Sequence, residues 1–313
     1  MSPPDTRSVA PARAELFTVD GLAVTRRARP DIDPVLPMVV FVHGAMDRAA
    51  SFGRVMRRLP EFEVIAYDRR GYGQSERLVV PDPGASVTNA QRGTIASHGH
   101  DLSRVMEHCA SNSPVGRSRE SVVVIGHSLG GLIALWVAAQ KAPKLIGIGA
   151  YESPAPWLDA SFGRVGGGAV ELANTAGNAA GAEFFYKMMI GAETFSRLRP
   201  ADIAARRSEG DALIAELESL RDPDQAFDLG SIDLPVVIGM GTASSESMQR
   251  NSVLLADAVP DAAFETIEGA AHGAHLSRPE AFASYVRRCV TQSCSRATME
   301  GSPQGPDEEN DDG

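Results

Sequence analysis

Short, wholly apolar runs recur along the chain and alternate with longer segments whose apolar residues follow a helical period. The apolar runs are Met38–Val42, Val64–Tyr67, Val122–Ile125, Leu145–Ala150 and Val236–Met240, with a weaker run at Ala263–Ile267. Parallel strands that are covered on both faces have this composition. The helix-period segments are Phe52–Leu59, His100–Ala110, Leu132–Ala139, Ser252–Val259 and Pro279–Val290. This alternation predicts a doubly wound α/β sheet.

An antiparallel hairpin is predicted at the start of this sheet. Glu15–Val19 and Leu22–Arg27 have the alternation of strands, and Asp20-Gly21 lies between them. Asp-Gly between two such runs is a strong hairpin signal, because a two-residue turn requires positive φ angles that these residues tolerate.

One interval is too long for a single crossover helix. About 85 residues separate Ala150 from Val236, and their pattern is helical over Ala169–Thr175, Ala180–Ile190 and Ala201–Leu220. We therefore expect a helical lid over residues 153–232, inserted into an α/β core formed by residues 14–152 and 233–295. Residues 1–13 and 296–313 are expected to be disordered tails, since the final GSPQGPDEENDDG is acidic and holds no apolar side chain.

Charge and composition limit the classes of partner. The 313 residues carry 30 Lys and Arg against 40 Asp and Glu, and the net charge of −10 argues against a nucleic-acid partner. No apolar run approaches the roughly 18 residues of a membrane span, and the N-terminus shows no export signal. Three cysteines, a small and odd number, favour a reducing cytoplasm. We expect a cytoplasmic protein without a membrane or nucleic-acid partner, and its oligomeric state stays open.

The sharpest chemical signal is Gly126-His127-Ser128-Leu129-Gly130, which directly follows a predicted strand and directly precedes an apolar helix. A serine on such a turn needs a strained backbone, and small residues two positions away on either side let strand and helix approach each other. The helix N-terminus then directs amide donors at a developing oxyanion. This placement predicts that Ser128 is a nucleophile.

A serine nucleophile needs a base, and the seven histidines are the candidates. His127 adjoins the serine and is expected to point elsewhere, and His43 belongs to a separate motif. His98, His100 and His108 resemble a metal cluster together with Asp101, but no further ligand set supports one, so we expect no metal. The remaining candidates are His272 and His275, in the loop after the last strand.

Four motifs, in order and at normal spacing, resemble those of the α/β-hydrolase superfamily over nearly the whole chain. They are His43-Gly44, the turn Asp68–Ser75, the elbow Gly126–Gly130, and Gly269-x-x-His272 followed by Pro279-Glu280. The resemblance implies an α/β-hydrolase fold, with a mostly parallel eight-stranded sheet, flanking helices and a helical lid.

The same resemblance implies roles for individual residues. The register to Pro279 favours His272 over His275 as the base. The backbone amides of Ala45 and Leu129 would form the oxyanion hole, whereas His43, Asp68 and Arg69 would be structural.

The acid is where this chain departs from the superfamily pattern. The usual aspartate follows the seventh strand, where this chain has Ala243 and Ser244. A subset of the superfamily takes its acid from the end of the sixth strand, and Glu152 occupies that position here. Glu246, two residues late after the seventh strand, and a dyad without a carboxylate are the alternatives.

A serine nucleophile distinguishes this chain from the superfamily branches that attack with aspartate. We expect a serine hydrolase that needs no cofactor and cleaves an ester-type bond of a small molecule through an acyl-enzyme. Cofactor-free perhydrolysis, C–C bond hydrolysis, lyase chemistry and a non-catalytic ligand-binding homologue are the alternatives. The predicted lid supplies apolar side chains that suit a neutral, apolar substrate, although most of them should form its core: Trp157, Phe162, Phe184, Phe185, Met188 and Met189.

Overall fold

An eight-stranded sheet forms the centre of the computed structural model, which describes residues 14–75, 93–115, 119–159 and 166–300. Its strands are β1 (Ala14–Val19), β2 (Leu22–Arg27), β3 (Met38–Val42), β4 (Val64–Tyr67), β5 (Val122–His127), β6 (Leu145–Tyr151), β7 (Val236–Gly241) and β8 (Ala263–Ile267). The spatial order is β1-β2-β4-β3-β5-β6-β7-β8. The pairs β1–β2 and β2–β4 are antiparallel and all others are parallel. The predicted α/β-hydrolase sheet is confirmed.

The helices flank this sheet or lie in the long interval between β6 and β7. They are α1 (Gly53–Met56), α2 (Ile95–Ser111), α3 (Leu129–Ala139), α4 (Gly167–Ala176), α5 (Asn178–Ile190), α6 (Ala192–Ser196), α7 (Pro200–Ser208), α8 (Gly210–Arg221), α9 (Glu246–Ala258), α10 (Ala274–Ser277) and α11 (Pro279–Glu300). Short 3-10 turns lie at Ala49–Phe52, Pro223–Gln225 and Leu229–Ser231. Each helix in the described ranges is either too short or too polar to traverse a lipid bilayer.

The central strands are apolar on both faces because each face has its own hydrophobic core. On β3, Val40 and Val42 pack into one core with side chains of α2, α3 and α9. The alternate residues Val39 and Phe41 pack into the other with side chains of α1 and α11. Successive side chains of a strand point to opposite faces, so a continuous apolar run is what two helical layers require.

The helices between β6 and β7 form a third apolar cluster against the loops at the carboxyl edge of the sheet. Met46, from the loop after β3, and Tyr72, from the loop after β4, are buried among side chains of α4, α5 and α8. Charged contacts reinforce this packing, since Arg48 pairs with Glu209 at 2.6 Å and Arg69 pairs with Glu216 at 2.5 Å. These helices therefore lie over the edge at which the predicted site residues are found.

Some local predictions differ from the structure. The helix expected over Ala201–Leu220 is two helices, α7 and α8, which meet at Glu209. At this break the Glu209 carboxylate accepts hydrogen bonds from Arg48 and the Gly73 amide, and a Cβ on Gly210 would lie 2.5 Å from Asn178 O. These tertiary contacts coincide with the break.

The two tails predicted at the ends of the chain lie mostly outside the described residues. Helix α11 continues to Glu300, past the core boundary predicted at 295. The expected disorder of residues 1–13 and 301–313 concerns positions outside the described residues.

Candidate active site

Ser128 lies on a tight turn between β5 and α3. Its φ of 54° and ψ of −128° are strained for a residue with a side chain, and it is the N-cap of α3. The flanking glycines permit this geometry. A Cβ on Gly126 would lie 2.3 Å from Gly130 O, and a Cβ on Gly130 would lie 2.1 Å from Val42 O. The turn therefore holds Ser128 at the carboxyl edge of the sheet, as the spacing of small residues predicts.

The loop after β3 approaches Ser128 closely. A Cβ on Gly44 would lie 2.8 Å from the Ser128 Cβ, so only glycine fits at this position without displacement. Ala45 follows it directly, and Leu129 is the first residue of α3. The first amides of a helix have no acceptor within the helix. The two residues predicted to supply oxyanion donors thus directly follow Gly44 and Ser128, whose close approach brings the two loops together.

The structure brings His272 and Glu152 together. Nδ1 of His272 donates a hydrogen bond to Glu152 Oε2 at 2.8 Å. The Glu152 side chain is fully buried, whereas the His272 side chain is 20% exposed and so accessible from solvent. A buried carboxylate in this position fixes the imidazole tautomer with its proton on Nδ1 and leaves Nε2 as the acceptor.

Glu152 reaches across from the end of β6 to the end of β7. Its Oε1 accepts hydrogen bonds from the Gly241 amide at 2.8 Å and from the Ser244 hydroxyl. Its φ of 46° is in the left-handed region, and its own amide donates to Gly239 O at 2.9 Å. The carboxylate therefore lies beside the strand that usually carries the acid in this superfamily, although its backbone belongs to the neighbouring strand.

Glu246, the alternative acid, has a different environment. It is exposed at the start of α9, behind the N-cap Ser245. A carboxylate in the first turn of a helix interacts favourably with the positive end of the helix dipole.

Ser128 and His272 are not joined by a hydrogen bond between their side chains in the described part of the chain. Their elements are nevertheless connected, because His127 Nε2 donates to the His272 carbonyl at 2.8 Å. The ring centroids of these two histidines are 4.6 Å apart. The His127 side chain thus holds the histidine loop against the elbow.

Three residues that sequence reasoning did not combine converge beside this contact. His275 Nε2 donates to Asp47 Oδ2 at 3.1 Å, and the His275 and His127 rings lie 4.3 Å apart between centroids. Burial lowers the pKa of His127 well below its ordinary value, and the neighbouring His275 and His272 lower it further. Asp47 and His275 are 228 positions apart in the chain, so no local signal indicates their contact.

His43, Asp68 and Arg69 form a buried scaffold behind the site. The Arg69 amide donates to His43 Nε2 at 2.9 Å, and His43 Nδ1 donates to Gly44 O at 2.8 Å. Burial and the nearby Arg69 charge lower the pKa of His43 to about 3, so this imidazole is neutral. Asp68 accepts hydrogen bonds from the Ala49 and Gln74 amides. These contacts shape the loops and leave the two side chains of Asp68 and Arg69 unpaired with each other.

The apolar side chains of the insertion divide differently from the prediction. Phe185 is buried, but Phe184, Met188 and Met189 are exposed, by 43%, 54% and 43%. The expectation that most of them form the insertion core is wrong for these three, because α5 packs its Phe185 face against α4 and α8. Trp157 packs edge-on against Phe227 at 5.4 Å, and Phe162 lies outside the described residues.

Comparisons with known proteins agree with this architecture. The model of the alpha/beta hydrolase family matches residues 39–285. A Caulobacter sp. (strain K31) protein named "Putative carbamate hydrolase RutD" is 25% identical over 283 residues, covering 86% of this chain and 95% of that protein.

Two solved structures show the same fold over nearly the whole chain. The enol-lactonase from Burkholderia xenovorans LB400 matches with a TM-score of 0.65 and 20% identity, covering 88% of this chain and 100% of that one. The thermophilic esterase from Thermogutta terrifontis matches with a TM-score of 0.62 and 21% identity, covering 90% and 99%.

Proposed function

The chain belongs to the alpha/beta hydrolase family of enzymes, and we propose that it is a serine hydrolase that cleaves an ester-type bond of a small, largely apolar substrate. Ser128 is the nucleophile, His272 the base and Glu152 the acid of its triad. The observation that carries this proposal is the hydrogen bond of 2.8 Å between His272 and the buried Glu152, next to the strained serine elbow.

The proposed reaction proceeds through an acyl-enzyme. Nε2 of His272 accepts the Ser128 hydroxyl proton while Oγ attacks the carbonyl carbon. Glu152 stabilises the imidazolium that forms, and the Ala45 and Leu129 amides bind the oxyanion. The imidazolium then protonates the leaving alkoxide. Water activated by the same imidazole hydrolyses the acyl-enzyme.

The environment of Glu152 supports its role as the acid. Three donors converge on the carboxylate: the Gly241 amide, the Ser244 hydroxyl and the His272 ring. Hydrogen bonds to both oxygens hold the carboxylate in one orientation, with Oε2 facing the imidazole, as the acid of a triad requires.

The substrate class is inferred from the groups around the nucleophile. Ala45 and Met46, next to the proposed oxyanion hole, pack against the apolar cluster of the insertion. An apolar wall of this kind favours a neutral acyl or alcohol group over a charged one. The helices after β6 would act as the lid over residues 153–232, and the small-molecule substrate would bind between lid and sheet.

A fluorophosphonate probe tests the nucleophile, since it labels an activated serine. Wild-type protein should be labelled, and Ser128→Ala should not be. A panel of p-nitrophenyl esters with acyl chains of graded length then measures turnover. Absence of both labelling and turnover in folded protein would contradict a serine hydrolase and favour a non-catalytic ligand-binding homologue.

Carbamate hydrolysis on the same residues is a second candidate, because the Caulobacter relative bears that name and this chain spans 95% of it. A matched pair of p-nitrophenyl substrates, one ester and one carbamate, separates the two. An esterase releases nitrophenol from the carbamate only as a single burst, because the carbamoyl-serine turns over slowly. A carbamate hydrolase shows continuous release.

A further inference from the structure

A cluster of two histidines and one aspartate lies next to the proposed triad and has no role in the reaction described above. Asp47 belongs to the loop after β3, His127 ends β5, and His275 lies in α10 after β8. One potential ligand atom from each residue lies within 4.8 Å of the others. Three parts of the sequence therefore meet at one point through the topology of the sheet.

Two ring nitrogens in this cluster are buried without a hydrogen-bond partner in the described part of the chain, His127 Nδ1 and His275 Nδ1. Their side chains are almost fully buried, with 5% and 1% exposure. Buried polar atoms normally find a partner, so two orphans in adjacent rings need an explanation. A cation that accepts the lone pair of His127 Nδ1 supplies a partner for the first of them, whereas His275 Nδ1 keeps the ring proton when Nε2, the nitrogen next to Asp47, binds the ion.

The tautomer of His127 is already the one that a metal ligand needs. Its Nε2 donates to the His272 carbonyl at 2.8 Å, so a neutral ring carries its lone pair on Nδ1. Metal-binding histidines characteristically donate their other ring N–H to a backbone carbonyl or a carboxylate.

We propose that Asp47, His127 and His275 bind one divalent transition-metal ion of the Zn²⁺ class. Two imidazole nitrogens and one carboxylate oxygen are ligands that Zn²⁺ accepts, and a set of three leaves a fourth position for water. Mg²⁺ and Ca²⁺ prefer sites made of oxygen ligands and are disfavoured here. The ion takes the place of the proton that His275 now donates to Asp47.

The cluster is open to solvent on one side. The Asp47 side chain is 19% exposed, which gives the ion a path from solvent.

Occupation of this site should inhibit the hydrolase, an expectation that rests on the proposed function. His127 directly precedes Ser128, and its ring lies 4.6 Å from that of His272 between centroids. A double positive charge beside His272 disfavours the imidazolium that forms during attack. Zn²⁺ should therefore lower kcat, and a chelator should restore it.

The test uses full-length chain without an affinity tag, stripped with EDTA and titrated with ZnCl₂ by isothermal calorimetry. We expect one ion per chain, a higher Tm with Zn²⁺, and a Co²⁺ absorption band typical of mixed nitrogen and oxygen ligands. Asp47→Asn and His275→Gln should each weaken Zn²⁺ affinity by at least about tenfold. His108→Gln removes an exposed histidine from α2 and serves as the matched control.

Two results would overturn the metal site. Unchanged Zn²⁺ affinity in both variants, or no saturable binding by the wild type, overturns it and leaves the Asp47–His275 hydrogen bond as a loop brace. If one variant fails to fold, judged by its metal-free Tm, the other decides, since Asp47 lies in the loop after β3 and His275 in α10. Zn²⁺ binding together with no ester turnover by the metal-free protein would contradict the proposed function and leave the metal site standing.

Discussion

Replacement of Glu152 by Gln is the most informative single change in the proposed triad. The carboxylate accepts hydrogen bonds from Gly241 and Ser244 through one oxygen and from His272 through the other. Glutamine keeps an oxygen for the first two donors, so its shape and burial are preserved. Its NH₂ then faces His272 Nδ1 and stabilises the tautomer that has its proton on Nε2. That tautomer cannot accept the Ser128 proton.

The size of the effect follows from this geometry. The variant loses both the correct tautomer and the charge that stabilises the imidazolium. The same change in a serine protease triad lowers kcat by about 10⁴. We expect a loss of about 10³–10⁴ here, which corresponds to roughly 4–5.4 kcal/mol in the barrier. The KM should change little, because the acid does not touch the substrate.

Steady-state hydrolysis of a p-nitrophenyl ester at constant pH measures the loss, and thermal unfolding verifies the fold. Glu246→Gln is the matched control, since Glu246 is exposed at the start of α9 and should be dispensable. Activity of Glu152→Gln within tenfold of the wild type would refute the reasoning. A large loss in Glu246→Gln instead would assign the acid to that residue.

Two further predictions concern stability and the oxyanion loop. Burial raises the pKa of Glu216, but the charge of Arg69 and the hydrogen bond from His98 outweigh it, and the net pKa falls from 4.5 to about 2. Ionisation of Glu216 therefore stabilises the folded state by an amount on the order of a few kcal/mol above pH 4.5, and this is lost as the pH falls towards 2. Urea unfolding between pH 7 and 3 should show a weaker pH dependence in Glu216→Gln, and equal slopes would contradict this. Gly44→Ala should lower kcat/KM on the order of 10²-fold, because its Cβ would lie 2.8 Å from the Ser128 Cβ. Gly53→Ala, whose nearest contact would be 3.6 Å away, should leave ester hydrolysis unchanged, and equal losses in both would exclude a specific effect of Gly44.

The sequence predicts the sheet and the elbow well because their signals are local. A strand buried on both faces must be apolar at every position, as β3 and β5 are. The strained Ser128 needs Gly126 and Gly130 at fixed spacing, since added Cβ atoms there would approach backbone oxygens within 2.3 Å. Both requirements are visible in a few consecutive residues.

Features that depend on distant contacts are predicted less well. Glu152 is one of three alternatives in the sequence, because its contact with His272 spans 120 positions and depends on the pairing of β6 with β7. Helical periodicity continues through Glu209, but the hydrogen bonds of that side chain to the loops after β3 and β4 coincide with the break between α7 and α8. The contact of Asp47 with His275 likewise exists only after the sheet has formed.

The position of Glu152 has a consequence for biosynthesis. A ribosome completes Ser128 and Glu152 long before it adds Gly241 and Ser244, which hold the carboxylate, and His272, which pairs with it. Under the proposed mechanism, an unfinished chain that ends before β8 carries a nucleophile and an acid but has no base. Hydrolytic activity thus begins only when the last strand and its loop have been synthesised and docked. Chains that terminate early are inert towards the esters of the cell that makes them.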